Sequence, residues 1–310
     1  MMQVCMMYFG TYLPQTEVEV SEYVHEREFP GIKVRGLSVA GISTCLYLPD
    51  LSACLDIAQG LAFALSAKNF FITHAHQDHM GGIAYIVSQR ALNKLPPAVF
   101  YLPESVIEPV RQLMQIWEKL EGHEYEFELR TLKPGEPSIP LKNGFSIESF
   151  PTVHRVASQG YQLFQETKKL KKEFFGLPGD EIKALRSKGV AIADLHNDPV
   201  FAFTGDTKVE VFERNPKLLQ TRTVFVECTY YDERKSVESA REWGHIHLDE
   251  LRPTIEAFQG ERFVLIHPSR KYRPHEIWPI VEKRLGPRLC EKVDLFCGQP
   301  NFGNPLYIKS

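Results

Sequence analysis

His74-Ala75-His76-Gln77-Asp78-His79 sets four nitrogen- or oxygen-bearing side chains within six residues. Zinc takes about three or four N, O or S ligands per ion, in roughly tetrahedral or five-coordinate geometry. In extended or loop backbone, side-chain direction repeats every two residues, so His74 and His76 point the same way. Asp78 and His79 come after the chain turns and are placed to face a second ion. In a chain with 11 His in all, such a run is improbable for a solvated loop.

Working outward, Asn69 to Thr73 before the run reads as a short apolar strand. Gly81-Gly82 after it allows a tight turn, and Ile83 to Leu92 reads as a helix. Upstream, Ser38 to Pro49 and Ala53 to Ile57 read as strands with a turn around Pro49-Asp50. Downstream, Val99 to Leu102, Phe145 to Pro151, Val200 to Phe203, Thr223 to Glu227 and Phe263 to Ile266 read as strands. Pro103 to Leu120 reads as a helix with Val106, Val110, Leu113, Ile116 and Trp117 on one side. Leu251 to Phe258 and His275 to Leu285 are the last expected helices. This alternation belongs to a layered α/β enzyme with reactive groups at strand ends.

Several of those strand ends carry further candidate ligands. His154 follows Phe150-Pro151, Asp206 stands in Thr204-Gly205-Asp206-Thr207, and His267 closes Phe263 to Ile266. A carboxylate at Asp206 is suited to bridge two ions. His25, His123, His196 and His275 lack such a setting and read as surface or helix histidines.

The bulk numbers agree with a globular enzyme. The chain has 310 residues, 43% of them apolar and 24% charged, with net charge -3. That balance excludes a disordered chain and one whose whole surface grips nucleic acid. The six Cys form no CxxC pair, so no zinc knuckle or thioredoxin-type motif is expected, and their scatter suits a cytoplasmic location. Met1 to Gly10 does not read as a signal peptide, and no stretch approaches the roughly 18 to 20 apolar residues of a membrane span.

Taken in order, these pieces resemble the metallo-β-lactamase superfamily, and within it the ribonuclease Z branch, from about Ser38 to Tyr272. Leu55-Asp56 is similar to the first motif, the histidine run to the second, and His154 with Gly160-Tyr161 to the third. Gly205-Asp206-Thr207 is similar to the fourth, and His267 with Ser269 and Tyr272 to the fifth. The resemblance implies a four-layer αββα sandwich, read as a single domain over 1–310. It implies that His74, His76 and His154 hold one ion, that Asp78, His79 and His267 hold the other, and that Asp206 bridges. Asp56 would brace the ligands from behind. Val226-Glu227-Cys228-Thr229-Tyr230 and Gly244-His245-Ile246-His247 resemble two segments of the ribonuclease Z branch, which makes Glu227 and His245 a catalytic pair.

The implied activity is phosphodiester hydrolysis, on RNA or a smaller ester, by a metal-bound hydroxide. Asp78 is the expected general base and His245 the acid that protonates the leaving oxygen. The two divalent ions are expected to be zinc, with manganese or iron also compatible with His/Asp ligands. A homodimer is implied by the resemblance alone. An alternative on the same core is hydrolysis of a lactone, thioester or sulfate ester, which a panel of chromogenic esters separates. A di-iron redox protein is disfavoured by His76, and a non-catalytic subunit by retention of all seven ligands.

Two departures shape a further expectation. Ribonuclease Z carries a long glycine- and proline-rich arm between its third and fourth motifs, which grips tRNA. Tyr161 to Pro199 looks too short and too poor in glycine for that arm, and Lys168, Lys169, Lys171 and Lys172 are expected on a solvated helix face. Pre-tRNA is therefore expected to be processed weakly compared with small phosphodiesters. His247 is expected to cap a helix from Asp249 to Phe258 rather than to meet substrate.

Overall fold

The computed structural model describes residues 24–296. Met1 to Gly10, Cys5 and Cys297 lie outside the described residues. Seven strands form the first sheet in sequence order: β1 (His25–Phe29), β2 (Ile32–Val39), β3 (Ser43–Leu48), β4 (Ala53–Leu55), β5 (Asn69–Phe71), β6 (Ala98–Leu102) and β7 (Phe127–Thr131). Seven more form the second: β8 (Ile139–Pro140), β9 (Phe145–Pro151), β10 (Gln159–Leu170), β11 (Ala193–Phe203), β12 (Thr223–Glu227), β13 (Arg262–Ile266) and β14 (Val293–Leu295). Both are mixed. β4 to β7 run parallel in the first, and β11 to β14 run parallel in the second.

The near-continuous apolar runs of the central strands follow from burial on both faces. In β12, Phe225 faces the other sheet while Val224 and Val226 face helices. In β5 and β6, Phe71, Val99 and Tyr101 face the other sheet, while Phe70, Phe100 and Leu102 face helices. This period-two division creates three cores and hence four layers: helices, sheet, sheet, helices. The helices on the first sheet include α1 (Gln77–Met80), α2 (Ile83–Leu92) and α3 (Glu104–Glu121). After α4 (Gly179–Ser187), the second sheet is covered by α5 (Val211–Arg214), α6 (Val237–Glu242), α7 (Leu248–Ala257), α8 (Pro274–Leu285) and α9 (Pro287–Cys290). Among the described residues no helix is long and apolar enough to cross a membrane.

Four readings need correction. Ser38 to Pro49 is two strands, broken at Gly41 (φ +67), where Ile42 N donates to Val39 O at 3.1 Å. On α3 the buried stripe is Val106, Val110 and Met114, a run of i, i+4, i+8. Leu113, Ile116 and Trp117 lie on the exposed side. His25 is buried on β1, with its ring 4.1 Å from that of Phe296, rather than on the surface.

The fourth correction is the largest. Lys168 and Lys169 stand on a strand, not a helix, because β10 and β11 continue past the body as a two-stranded arm. A register shift at Leu163/Phe164 marks its root, and pairing then runs on to Leu170↔Ala193. β9 leaves β10 at Gln165, so beyond it each arm strand has only the other. Lys169 Nζ reaches Asp198 Oδ1 at 2.7 Å and Thr167 Oγ1 donates to Asp198 Oδ2 at 2.9 Å, which fixes the base. The short helix α4 caps the far end. A hairpin stiffened by its own ladder does not need the glycine content that the sequence lacks.

Candidate metal centre

The site lies where the strands of both sheets end. Asp56 follows β4 and adopts φ +52, and His267 follows β13 with φ +61. Such left-handed backbone costs a non-glycine residue about 1–3 kcal/mol. Here it turns both side chains inward. Asp56 Oδ1 accepts from Thr73 N at 2.7 Å, and Oδ2 from Thr73 Oγ1 at 2.8 Å and His79 Nδ1 at 2.7 Å. That explains why the expected strands Ala53 to Ile57 and Asn69 to Thr73 stop short: Thr73 spends its amide on a carboxylate.

Four imidazoles follow one pattern. His79 Nδ1 is held by Asp56. His74 Nδ1 is 3.0 Å from Thr73 Oγ1, whose proton already goes to Asp56, so the hydroxyl accepts. His154 Nδ1 donates to Gly244 O at 2.9 Å. His267 Nδ1 lies 3.2 Å from Thr229 Oγ1, whose proton goes to Glu227 Oε2 at 2.8 Å. With Nδ1 committed outward, Nε2 of each ring is left to face the centre.

There the nitrogens crowd. Nε2 of His79 and Nε2 of His267 are 3.3 Å apart, and each is 3.3 Å from Asp206 Oδ1. His74 Nε2 is 2.9 Å from His76 Nδ1 and 3.6 Å from Asp206 Oδ2, and His154 Nε2 is 3.4 Å from His76 Nδ1. Asp78 Oδ2 stands 3.5 Å from His267 Nε2 and accepts from Gly41 N at 2.7 Å. Donor atoms of His74, His76, His154 and Asp206 lie within 4.8 Å of one another, as do those of Asp78, His79 and His267. All seven expected ligands thus meet at one place.

Whether this set suits metal ions is tested by its own loose ends. Asp206 Oδ1 is buried without a hydrogen-bond partner, and a buried unpaired carboxylate oxygen is costly. Burial, then the charge of His79, pushes His74 well below the usual histidine range, and burial also lowers His76 and His154. Those rings offer lone pairs rather than protons. Burial opposes the charge of Asp206, but His267 and His79 outweigh it and keep the carboxyl ionised. Lone-pair nitrogens oriented from behind by hydrogen bonds, around an orphaned carboxylate, are what divalent ions require.

Beside this cluster, His245 Nδ1 donates to Glu227 Oε1 at 2.9 Å. Glu227 is fully buried at the end of β12. Its Oε1 also accepts from Thr207 N at 3.1 Å, and its Oε2 from Ile246 N at 3.2 Å in addition to Thr229. Burial works against a charge on His245, but Glu227 and then Asp206 outweigh it and raise the ring to about 9. The close approach needs glycine twice. A Cβ on Gly205 (φ +58) would fall 2.6 Å from Thr73 Cβ, and one on Gly244 (φ +83) 2.7 Å from His154 Nδ1.

His247, two residues on, turns away. Its Nδ1 accepts from Asp249 N at 3.2 Å and its amide donates to Glu250 Oε2 at 3.1 Å, so it caps α7. Tyr161 Oη donates to Ile72 O at 2.8 Å, joining the third motif to the strand before the histidine run. Sequence reasoning missed Thr73, Thr229 and the Gly41 amide. The threonines adjoin motif residues, but only the fold shows their hydroxyls relaying carboxylate to imidazole. A backbone amide leaves no mark in sequence.

Comparison with known proteins places this geometry. Residues 65–268 match the Beta-lactamase superfamily domain. The chain is 38% identical to tRNase Z TRZ1 of Arabidopsis thaliana over 252 residues, covering 81% of this chain and 90% of that protein. It is 34% identical to the chloroplastic tRNase Z TRZ2 of the same organism, covering 83% of this chain and 73% of that protein. Among solved structures, human tRNase Z, short form, superposes with a TM-score of 0.54 at 19% identity, covering 76% of this chain and 91% of that one. The metallo-beta-lactamase fold protein YhfI from Bacillus subtilis superposes with a TM-score of 0.57 at 12% identity, covering 85% and 95%.

Proposed function

This chain belongs to the β-lactamase superfamily and, within it, to the tRNase Z family; on that premise we propose that it cleaves a phosphodiester bond in RNA, with pre-tRNA as the substrate. It is a ribonuclease Z-like, metal-dependent hydrolase. The observation that carries the finer reading is the half-buried His245 paired with the buried Glu227, 2.9 Å apart, beside seven convergent ligand side chains.

His74, His76 and His154 would hold one divalent ion, and Asp78, His79 and His267 the other, with Asp206 between them; zinc suits this donor set. When bound, the ions would supply Lewis acidity toward the phosphate and the attacking water. The chain does the rest. Burial opposes a charge on Asp78, but His267, 3.5 Å from its Oδ2, and the charge of His79 outweigh it and hold the carboxyl ionised. The Gly41 amide keeps that carboxylate oriented. Glu227 fixes the His245 ring through Nδ1, so Nε2 is the nitrogen that donates to the leaving oxygen.

The arm supplies reach. From Glu166 to Asp198 it has no buried residue, and it presents Lys168 and Lys172 to solvent. We assign it the role of gripping tRNA, so efficient processing of pre-tRNA replaces the weak processing expected from sequence. A single-domain organisation, a homodimer and a cytoplasmic location complete the proposal. Elemental analysis of purified protein, beside turnover of a pre-tRNA and a bis-aryl phosphodiester, tests the core of it. Two ions per chain and cleavage of both substrates are expected. At most one ion in metal-supplemented protein, or no cleavage of either ester, would overturn it.

A further inference from the structure

We propose that Trp243, backed by Arg155, is a stacking platform for a nucleobase flanking the scissile phosphodiester. The inference rests on the RNA reading above and adds a binding subsite to it. Trp243 ends α6 and stands one residue before the Gly244-His245 step, yet it is 51% exposed. The Arg155 guanidinium lies 4.8 Å from the centre of its indole. Arg155 itself directly follows His154. The two loops touch: His154 Nδ1 donates to Gly244 O at 2.9 Å, and a Cβ on Gly244 would fall 3.1 Å from Arg155 Cγ. The rings of His154 and His245 are 5.5 Å apart.

An exposed indole thus stands two residues from the candidate acid His245 and against Arg155, the neighbour of the candidate ligand His154. A substrate whose phosphate reaches those histidines brings its neighbouring groups close to the loop that carries Trp243. In single-stranded RNA those groups are flat bases and a charged backbone. Bases stack on aromatic rings, and every base has a π-face, so such a platform holds substrate with little sequence preference. The guanidinium stiffens the indole through a cation–π contact and offers its charge to the backbone. A plain clip between two loops would not need half of an indole in water.

The test uses a short single-stranded RNA with one scissile bond, together with versions carrying an abasic ribose on either side of it. Trp243→Ala is expected to raise KM for the intact RNA by about 5- to 100-fold, with the loss falling on KM rather than kcat. Trp243→Phe should recover most of it, and Arg155→Ala should show a smaller loss of the same kind. One of the two abasic substitutions should cost the wild-type protein a similar factor and cost Trp243→Ala nothing further. In Trp117→Phe protein the RNA should quench tryptophan fluorescence, and adding Trp243→Phe should remove most of that quenching. An unchanged KM in Trp243→Ala, a fall confined to kcat, or equal abasic penalties in both proteins would overturn the platform. Failure of the wild-type protein to cleave any RNA would instead overturn the ribonuclease reading beneath it.

Discussion

At the floor of the site the rings of His74, His79, His154, His245 and His267 each have a fixed partner behind them; along the arm, from Glu166 to Asp198, no residue is buried. The floor is held by contacts between distant parts of the chain. Thr73 and Asp56 fix His74 and His79, and Thr229 and Glu227 fix His267 and His245. The arm is held by its own ladder and by the ion pairs Lys169–Asp198 and Lys171–Asp194. One region spends burial on holding a few atoms still. The other spends none and gains reach. Chemistry should therefore reside in the floor, and discrimination between large and small substrates in the arm.

The harshest way to break that division is Asp206→Ala. Its carboxylate meets His79, His267 and His74, so both ions should be disturbed and turnover of every substrate lost. Elemental analysis alongside assays checks this, and a variant with two ions and near-normal turnover would refute it. Next in size is His245→Ala, expected to lower kcat by about 10²- to 10⁴-fold, the usual loss for a general acid. The loss should shrink on aryl phosphodiesters, whose leaving groups need little protonation. An equal loss on alkyl and aryl esters would remove the acid role.

Replacing residues 166–197 by a short turn tests the other side. KM for pre-tRNA should rise about tenfold or more as phosphate contacts are lost, while a bis-aryl phosphodiester is turned over as before. In the intact protein, Lys168→Ala should flatten the dependence of log affinity on log salt by roughly 0.7 to 0.9 if it contacts one phosphate. A loss of turnover on the small ester after arm removal would show that the floor depends on the arm. The smallest effect expected is that of His247→Ala. It removes a helix cap, costs about 1 kcal/mol of stability, and leaves kcat closer to wild type than His245→Ala does; thermal unfolding and kinetics on both variants would decide.

The same contrast explains what could be read from sequence. His74 to His79 is contiguous, and its spacing is its message. His154, Asp206 and His267 were legible because each directly follows an apolar strand, and strand ends converge in a layered sheet. Thr73, Thr229 and Gly41 were not, because a relay through a hydroxyl or an amide exists only once the sheets are stacked. The arm was misread for another reason. Its residues lack the apolar alternation that marks a half-buried strand, since neither face is covered. A run of lysines then looks like any solvated surface. Leu113, Ile116 and Trp117 misled in the opposite direction, being apolar and regularly spaced but on the open side of α3.

The register shift at Leu163/Phe164 has one more consequence. Below it, Tyr161 and Phe203 are locked into the body; beyond Gln165, each residue of β10 is matched only by one of β11. Residues can be added to or removed from the two strands in matched pairs without moving Gly160, Asp206 or anything else in the floor. Reach is thus a separately adjustable length, which a lineage or an engineer can change while the floor stays as it was.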